Sequence, residues 1–551
     1  MKSDLLIGRS MENSSFCQKP KVLVVGAGPI GLAAALEFAN FEIETLVVDE
    51  LLEINRASKA ICWSQRSLEM LNRVGVAEKF IEKGSTWKKG RVFKAAEEIY
   101  NFDLQVEAGF KAPAFINLQQ YYVEQFLIDK LEELEFPVLR RGHKVVDISL
   151  TKDNRVEVRI ENDQEVYNVI ADYVVAADGI RSTIRKAFEL ELQGNYFDEQ
   201  FLIIDVKVDK SFPLERKFWF QPKFHDGQSA LLHVQPDNNL RIDLQLGPNV
   251  DPDSEQDETR VRARVDKILG SDVDYKLEWV SLYSFSCKRI ERFSHGPIFF
   301  VGDAAHVVSP FGARGGNGGL QDIDNLVWKV SSVIKGKAPR ALLDTYDEER
   351  IPAADENILN SARSTGFMTP KTQASIDFRD AVFDLSKTMP FARDFINSGR
   401  LSQPYKYIGS SLVSEDDTSF FGDGILPGQS ILDAPICIGR KQTWLIDHIA
   451  IGFSVVAFVD EEKTAISIPQ YLDKVCRQLD LIETFVIVIS KRLNGMSEKL
   501  LCDTTGLAFE RWAASDGSIY LVRPDHHIAA RWRATPSVSE LKKACRKSIS
   551  L

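Results

Sequence analysis

Cysteine is scarce in this sequence, and none of the seven cysteines belongs to a CxxC pair. Their number is odd and their positions are scattered, whereas disulfide scaffolds need paired cysteines and dithiol redox centres need closely spaced ones. The cysteine pattern therefore excludes a disulfide framework and a thiol redox centre. It is typical of a protein that works in a reducing cytoplasm.

The sequence also has no long apolar run, and its basic residues are fewer than its acidic ones. No stretch reaches the roughly 18 apolar residues of a membrane-crossing helix, and the run at residues 5–7 is too brief for a signal peptide. The 68 lysines and arginines face 79 aspartates and glutamates, for a formal net charge of -11. Because such a chain repels a phosphate backbone, we expect no nucleic-acid partner and no membrane association. Residues 1–20 are interpreted as a loosely ordered N-terminal lead-in.

What is present is the composition of a large globular protein. The 551 residues are 44% hydrophobic and 27% charged, which is enough for about three domains. An apolar β-branched run at residues 21–25 leads through glycines into a helix-forming segment at 32–38 and a second apolar strand at 45–48. This βαβ unit predicts a parallel sheet. Later strands at 173–177 and 298–301 also end in glycine and aspartate, so the nucleotide domain is assembled from distant segments.

Residues 190–285 have a different pattern, with short strands separated by turns. The strand at 240–246 alternates polar and apolar residues, which places Arg241, Asp243 and Gln245 on one face. Helices follow to about residue 400, and a turn-rich stretch at 421–428 precedes further strands. The predicted domains are 21–189 with 286–400 for nucleotide binding, 190–285 for a substrate-binding sheet, 401–426 for a linker and 427–551 for a C-terminal α/β domain.

The motif Gly26-Ala27-Gly28-Pro29-Ile30-Gly31 stands between the first strand and the first helix. Glycines there allow a tight turn and let backbone N–H groups approach a pyrophosphate at the positive end of the helix. Asp49 ends the next strand about 20 residues later, where a carboxylate can bind the ribose hydroxyls of adenosine. The alternative is an ordinary strand, turn and helix, but the two matches together favour a dinucleotide site.

Two further segments complete the pattern. Asp303 follows Gly302 at a strand end and can hold the hydroxyls of a ribityl chain, or can simply cap a helix. His306 lies close to Asp303, but no other ligand cluster accompanies this pair, so we expect no metal. The segment 310–317 places glycines before a new helix, whose N–H groups can stabilise the negative charge of a reduced flavin. Its alternative is a surface turn.

These motifs resemble the class A flavoprotein monooxygenases, the group that contains p-hydroxybenzoate hydroxylase and phenol hydroxylase. The resemblance rests on the residues 26–31, on Asp178-Gly179-Ile180-Arg181 and on the segment 302–317, in the family's order. The tail at 520–525 and 530–532 resembles the thioredoxin-like domain of the phenol and 3-(3-hydroxyphenyl)propionate hydroxylase branch. Coverage is therefore nearly the whole chain.

The resemblance implies a Rossmann-like FAD-binding domain with an inserted β-sheet substrate domain and a C-terminal thioredoxin-like domain. It also implies FAD as cofactor, NAD(P)H and O2 as co-substrates, a small aromatic substrate hydroxylated through a flavin C4a-hydroperoxide, and a homodimer. Asp303 then contacts the ribityl chain, and Pro310 lies by the reactive flavin edge. The implied cofactor-binding residues are Gly26, Gly28, Pro29, Ile30, Gly31, Asp49, Glu50, Arg56, Gln120, Asp178, Gly179, Arg181, Gly302, Asp303, Pro310, Gly312, Gly315, Gly316 and Asn317.

Some positions depart from the family pattern. Asp49 replaces the usual glutamate at the ribose, and Ser309 replaces a second proline before the flavin. Both changes keep the needed functional groups but alter fine geometry. The C-terminal domain has no CxxC pair, so we expect it to have a structural or assembly role.

Three residues in or beside the predicted substrate sheet are candidates for acting on a phenol. Arg241 can bind a carboxylate or phenolate, and His233 or Tyr283 can relay the phenolic proton. The alternatives are an Arg241–Asp243 ion pair, a buried structural histidine and a packing tyrosine. Two other functions stay open: a Baeyer–Villiger or epoxidising enzyme on a polycyclic aromatic substrate, and an inactive FAD-binding assembly module.

Overall fold

Buried strands from distant parts of the chain form a mainly parallel six-stranded sheet. The apolar strand Val22–Val25 is fully buried and pairs in parallel with Thr45–Asp49 and with Tyr173–Ala176. Continuous β-branched runs of this kind are typical of parallel strands covered on both faces. The predicted nucleotide-domain strands are therefore confirmed. In spatial order the strands are Ser294–His295, Ile298–Phe300, Tyr173–Ala176, Val22–Val25, Thr45–Asp49 and Val138–Arg141.

The computed structural model describes residues 19–104, 108–225, 228–247, 250–397, 402–415, 424–477, 484–491 and 500–551. The predicted lead-in lies almost entirely outside these ranges, as do residues 421–423 of the turn-rich stretch 421–428. Within them, no helix is both long and apolar enough to cross a membrane. Six cysteines are described, and all six are free thiols.

Helices cover the first sheet and shape its core. Pro29–Asn40 packs against both Gln120–Glu132 and Gly315–Ile334, and buries Leu32, Leu36 and Phe38. The other helices of this part are Gln65–Arg73, Ala77–Lys83, Thr183–Ala187 and Thr345–Met368, with 3-10 turns at Gly302–Ala304 and Arg340–Asp344. Two small sheets flank it, with strands Cys62–Ser64, Phe115–Asn117 and Ser85–Thr86 in one and Lys144–Leu150, Val156–Glu161 and Val166–Ala171 in the other.

An eight-stranded sheet forms the predicted substrate domain. It extends beyond residues 190–285, because Glu215–Phe220 pairs in parallel with Lys89–Lys94 from the N-terminal part of the chain. Helices Pro252–Gln256 and Glu258–Leu269 lie beside it, and Gln373–Ser386 and Pro390–Asn397 pack near its far edge. The strand order is His306–Val307, Tyr275–Arg289, Gln193–Val208, Asn239–Gly247, Ala230–Val234, Glu215–Phe220, Lys89–Lys94 and Glu97–Asp103.

The C-terminal residues build a separate seven-stranded mixed sheet with an apolar core on each face. Phe453–Val459 pairs in parallel with Thr484–Ser490 and antiparallel with Ile519–Val522. Its helices are Glu462–Cys476, Leu507–Arg511 and Val538–Lys547, with a 3-10 turn at Leu445–His448. The strand order is Lys441–Trp444, Pro435–Ile438, Leu500–Cys502, Thr484–Ser490, Phe453–Val459, Ile519–Val522 and Ile528–Trp532.

A buried ion network fastens the C-terminal domain to the nucleotide domain. Arg523 donates from its two terminal nitrogens to the two carboxylate oxygens of Glu349, at 2.6 and 2.9 Å. Lys329 also reaches Glu349, at 2.7 Å, and all three side chains are fully buried. Burial opposes ionisation of Glu349, but the attraction of Arg523 and Lys329 outweighs it and holds the pKa of this carboxyl well below its usual range. The pair is therefore charged in the folded protein.

Glu349→Gln is expected to lower the free energy of unfolding by about 3–5 kcal/mol, because Lys329 would then lose its one ion-pair partner among the described residues and Arg523 would keep only Asp525. Urea unfolding of the purified protein measures the loss. Glu356→Gln, on the same helix but exposed, serves as the matched control and should stay within about 0.5 kcal/mol of wild type. Equal effects of the two substitutions would contradict the importance of the buried network.

Candidate active site

One large cavity, of about 820 Å³, lies between the six-stranded and the eight-stranded sheets. Its position is where ligands bind in α/β proteins, beyond the carboxyl ends of parallel strands. The eight-stranded sheet contributes the opposite wall, with His233, Arg241, Asp243 and Tyr283. The wall on the nucleotide-domain side comes from residues 25–30, 48–51, 177–181, 301–303, 307–311 and 313–316.

The glycine motif turns the chain tightly at the edge of the six-stranded sheet. Gly26 has a φ of +103°, and a Cβ there would lie 2.4 Å from the carbonyl oxygen of Ala177. A Cβ on Gly31 would lie 1.9 Å from the carbonyl oxygen of Gly26. Gly28 is different, because nothing lies within 4 Å of its added Cβ and it lines the cavity. Gly26 and Gly31 are thus required by packing, whereas Gly28 leaves room for a ligand.

Asp49 braces this turn from the neighbouring strand. Its carboxylate accepts a hydrogen bond from the backbone N–H of Ala27 at 2.6 Å and another from that of Leu51 at 2.8 Å. Both Asp49 and Glu50 line the cavity. Since a carboxylate has about four acceptor positions, Asp49 keeps capacity for hydroxyl groups of a bound ribose.

Two other carboxylates face the cavity with acceptor positions unfilled. Asp178 Oδ2 accepts from the backbone N–H of Thr183 at 2.8 Å, but its Oδ1 is buried and has no hydrogen-bond partner among the described residues. The Asp303 side chain is exposed toward the cavity, and the surrounding protein encloses that space. Burial raises the pKa of the carboxyl groups of Asp178 and Asp303. Buried acceptors of this kind need donors, so this side of the cavity is suited to a ligand that carries hydroxyl groups.

The segment after Pro310 leads into the helix Gly315–Ile334, whose start also lines the cavity. Gly312 has a φ of +96° and Ala313 one of +52°, which swings the chain into the helix. No side chain caps this helix start, so its first N–H groups are available to a ligand. A helix start with free N–H groups favours negative charge.

Asn317 fastens this helix start instead of facing the cavity with its side chain. Its amide oxygen accepts from the backbone N–H of Ser64 at 2.9 Å and from the Ser67 hydroxyl at 2.6 Å. Its amide nitrogen donates to the carbonyl oxygen of Cys62 at 3.0 Å. The Asn317 side chain therefore positions the helix rather than touching a ligand.

The predicted site residues divide into two groups. Four cofactor candidates do not belong to the cavity wall, namely Gly31, Arg56, Gly312 and Asn317. The remaining cofactor candidates and all of the catalytic candidates line it: Gly26, Gly28, Pro29, Ile30, Asp49, Glu50, Gln120, Asp178, Gly179, Arg181, Gly302, Asp303, Pro310, Gly315, Gly316, His233, Arg241 and Tyr283.

Asp243 organises the polar residues on the sheet side. Arg241 donates to Asp243 at 2.8 Å and to the carbonyl oxygen of Lys59 at 2.5 Å, so the predicted ion-pair alternative for Arg241 is realised. His233 Nε2 lies 3.3 Å from Asp243 Oδ2. Burial and the nearby Arg216 lower the pKa of His233 to about 4, so the imidazole is neutral at neutral pH.

Tyr283 projects into the cavity from the strand next to the nucleotide domain. The Tyr283 side chain is 42% exposed, and the space that it faces is the cavity. Because protein surrounds this space, burial raises the pKa of the Tyr283 hydroxyl to about 12. At neutral pH it is therefore a phenol that can donate a hydrogen bond. Its ring stacks on Phe285 with centroids 6.4 Å apart.

Sequence reasoning missed one charged residue of this wall. Arg216 lines the cavity from the strand Glu215–Phe220. The sequence holds a signal for it, since Arg216 alternates with Phe218 and Phe220 and so shares their face of the strand. The sequence analysis selected Arg241, His233 and Tyr283 in this part of the chain and left Arg216 out.

The histidine and aspartate considered as a metal pair are not joined. His306 Nε2 bonds Asp322 Oδ2 at 2.7 Å rather than Asp303. Across the described part of the chain, no group of three or more histidine, cysteine or acidic side chains is arranged to hold a metal ion.

Comparisons with solved structures show the fold. The chain superposes on the flavin-dependent monooxygenase PieE, solved with FAD and substrate, with a TM-score of 0.80 over 97% of this chain and 99% of that one, at 21% identity. It superposes on aklavinone-11 hydroxylase, solved with FAD and aklavinone, with a TM-score of 0.75 over 97% and 99%, at 20% identity.

Sequence comparisons show the family, because the FAD binding domain family matches residues 19–361. An uncharacterised aromatic compound monooxygenase of Bacillus subtilis (strain 168), YhjG, is 30% identical over 67% of this chain and 72% of its own length. The 3-(3-hydroxy-phenyl)propionate/3-hydroxycinnamic acid hydroxylase of Escherichia coli O81 (strain ED1a) is 24% identical over 93% and 91%. The chain belongs to the FAD binding domain family, and it is an FAD-dependent aromatic monooxygenase that uses NAD(P)H and O2.

Proposed function

We propose that this monooxygenase hydroxylates a phenolic ring held between the eight-stranded sheet and the start of the helix Gly315–Ile334. The observation that carries the proposal is the continuity of one cavity. Its wall includes Gly28 and Asp303 on the nucleotide-domain side and Tyr283 and His233 on the sheet side. A cofactor and a ring can therefore meet in one enclosed space.

The nucleotide-domain side is suited to FAD, which when bound supplies the activation of O2 and its transfer to the ring. The helix start at Gly28 would hold the pyrophosphate of FAD, and Asp49 would accept hydrogen bonds from its ribose. Asp178 and Asp303 accept from further hydroxyl groups. The free N–H groups at Gly315 stabilise negative charge on the flavin's pyrimidine end.

The rim of the cavity contributes further contacts in this proposal. With FAD bound, Pro310 would lie beside the flavin, and Arg181, which is exposed, would attract the phosphates of NAD(P)H. Gln120 lines the cavity while its amide nitrogen donates to Glu124 at 2.8 Å. Its side-chain oxygen accepts from the backbone N–H of Ala60 at 3.4 Å, so both ends of this amide are held by the protein.

The sheet side favours the phenolate form of the substrate, whose ring is more nucleophilic than that of the phenol. Asp243 selects the His233 tautomer with hydrogen on Nε2, which leaves Nδ1 as an acceptor; this atom has no partner among the described residues. Neutral His233 lines the cavity beside Asp243, and Tyr283, which is exposed to the cavity, can donate a hydrogen bond to the phenolate oxygen. Arg241 is a positioning residue that holds Asp243.

Product analysis of the purified holoenzyme tests this function. Simple phenols, hydroxybenzoates and 3-hydroxyphenylpropionate are expected to include a compound that stimulates both NAD(P)H oxidation and O2 uptake, and whose product carries one added ring hydroxyl. Mass spectrometry and NMR identify it. An ester, lactone or epoxide product from a polycyclic ketone or arene would support the Baeyer–Villiger or epoxidising alternative. Absence of stimulation by any aromatic compound would support the inactive assembly module.

Gly28→Val is expected to weaken FAD binding by at least about tenfold, because the added side chain occupies space that is open in the protein and needed by the pyrophosphate. Titration of the apoprotein with FAD, followed by flavin fluorescence, measures the affinity, and circular dichroism checks the fold. Gly366→Val, at an exposed helical glycine that is equally free of neighbours, is the control. Unchanged FAD affinity in Gly28→Val would place the pyrophosphate elsewhere.

His233→Gln is expected to change how stability depends on pH. The pKa of His233 is lowered from 6.5 to about 4, so between these values the unfolded chain binds a proton that the folded protein does not. Wild-type stability contributed by this group therefore falls as pH drops from about 6.5 to about 4.

The variant lacks this loss, so its free energy of unfolding should improve relative to wild type across that window, by on the order of 2–3 kcal/mol. Urea unfolding at a series of pH values provides the comparison. His295→Gln, outside the cavity, controls for the removal of an imidazole. Parallel pH curves for wild type and His233→Gln would show that the folded protein does not suppress protonation of His233.

The homodimer and the cytoplasmic location stay predictions. Light scattering of the purified protein tests the first, and fractionation of cells tests the second.

A further inference from the structure

Two cysteines of the C-terminal domain lie directly opposite each other on neighbouring strands. The strands Pro435–Ile438 and Leu500–Cys502 run antiparallel. In their register Cys437 pairs with Cys502. Opposed residues of an antiparallel pair have Cα atoms about 4.5–5.5 Å apart, and disulfides usually join Cα atoms about 4.4–6.8 Å apart. The backbone therefore holds the two thiols at a spacing that a disulfide can bridge.

Both thiols project from the same face of the seven-stranded sheet. Ile436 and Leu501 belong to the apolar core on one face. Because side chains alternate along a strand, Cys437 and Cys502 point to the other face. The nearby Cys437 thiol adds to the rise that burial causes in the pKa of Cys502. Both cysteines are free thiols, so they form a neighbouring dithiol that is reduced in this structure.

The two thiols differ in their access to solvent. Cys437 is half-buried, and its Sγ lies 3.9 Å from the Oγ1 atom of Thr504, an exposed residue. Cys502 is buried, and its Sγ donates a weak hydrogen bond to the carbonyl oxygen of Lys491 at 3.7 Å. A small oxidant therefore reaches Cys437 first, and Cys502 is placed to react with the oxidised sulfur.

This pair also has a distinct place in the sheet. The strands Pro435–Ile438 and Lys441–Trp444 form an outer hairpin at one edge. Among the described residues, Cys437 and Cys502 are the only pair that joins this hairpin to the next strand. A covalent bond there would fasten the hairpin to the rest of the domain.

A second pair of thiols in the same domain provides a contrast. Cys476 and Cys545 lie on the helices Glu462–Cys476 and Val538–Lys547, and the Cys476 thiol is near enough to affect the pKa of Cys545. Burial raises the pKa of Cys476 to about 11 and that of Cys545 to about 12. Because the thiolate is the reactive form of cysteine, this pair stays protonated and unreactive at neutral pH.

We propose that Cys437 and Cys502 form a reversible disulfide when the protein meets hydrogen peroxide. An enzyme that brings NAD(P)H and O2 together releases this oxidant whenever two electrons reach O2 without transfer of an oxygen atom to a ring. The inference goes beyond the proposed function, since the two cysteines lie outside the cavity and their oxidation requires no aromatic substrate. It also requires no CxxC spacing, because the fold brings the two thiols together.

Oxidation of the pair by hydrogen peroxide takes two steps. The Cys437 thiolate attacks one peroxide oxygen, so an S–O bond forms and the O–O bond breaks. The hydroxide that leaves takes up the proton of the Cys437 thiol and departs as water. The Cys502 sulfur then attacks the Cys437 sulfur, so the S–S bond forms and the S–O bond breaks, and a second water carries away the Cys502 proton. Two electrons pass from the two sulfurs to hydrogen peroxide.

Peptide mapping of the purified, FAD-loaded protein tests the proposal. The reduced protein is treated with excess hydrogen peroxide, which catalase then removes, and it is alkylated under denaturing conditions and digested without reductant. Mass spectrometry is expected to find most of the protein with two peptides joined through Cys437 and Cys502. Dithiothreitol added after oxidation should return both cysteines to the alkylated form. Cys476 and Cys545 should be alkylated as fully as in untreated protein.

Substitutions separate the roles of the two thiols. Cys437→Ser is expected to abolish the joined peptides and to leave Cys502 as a free thiol. In Cys502→Ala, Cys437 should stop at the sulfenic acid, which dimedone traps. Cys476→Ser is the matched control, because it removes another thiol of the same domain and should keep the joined peptides. Circular dichroism and FAD content check that the variants fold.

Complete alkylation of Cys437 and Cys502 in peroxide-treated wild type would overturn the proposal. A disulfide from either cysteine to a different thiol would also overturn it, as would sulfinic or sulfonic acid at Cys437 without the joined peptides. These outcomes are read from wild type and so do not depend on whether a variant folds. Failure of the proposed function is distinguishable, because it would appear in the hydroxylated products whereas this experiment measures thiols without turnover.

Discussion

The parallel register of three buried strands is the constraint on which the site depends. Val22–Val25 lies between Thr45–Asp49 and Tyr173–Ala176, so the carboxyl ends of all three strands open at one edge of the sheet. Gly26 closes this edge, because its backbone packs so tightly on Ala177 that a side chain would collide with the carbonyl oxygen. Carboxylates that are far apart in the sequence therefore face one cavity, with the first helix start between them.

Enclosure by protein determines the charge states on the opposite wall. Burial and Arg216 keep His233 neutral, and burial keeps the Tyr283 hydroxyl protonated. Arg241 outweighs the burial of Asp243 and holds the pKa of that carboxyl well below its usual range. Donors and acceptors are thus in place before a ligand arrives, which limits the reorganisation needed when a phenol loses its proton.

The C-terminal domain is coupled to the site through two adjacent residues of the helix Thr345–Met368. Glu349 binds Arg523 of the C-terminal domain, while Arg350 donates to Asp322 at 2.9 Å. Asp322 in turn accepts from the backbone N–H of Gly302, also at 2.9 Å. The turn that carries Asp303 is therefore supported by the same helix that docks the C-terminal sheet. This arrangement agrees with a structural role for a domain that has no CxxC pair.

The sequence by itself determined the features that depend on neighbouring residues: the buried strands, the glycine turn with Asp49, and the FAD-binding family that these motifs identify. Their signals are local, because periodicity and turn chemistry act within a few residues. Only the tertiary structure decided that Asn317 fastens a helix start, that Lys89–Lys94 extends the substrate sheet, and that Arg241 forms an ion pair whereas Arg216 forms none with the described residues. Each of these depends on which distant segment packs alongside, and burial, pairing and pKa follow from that packing rather than from residue type.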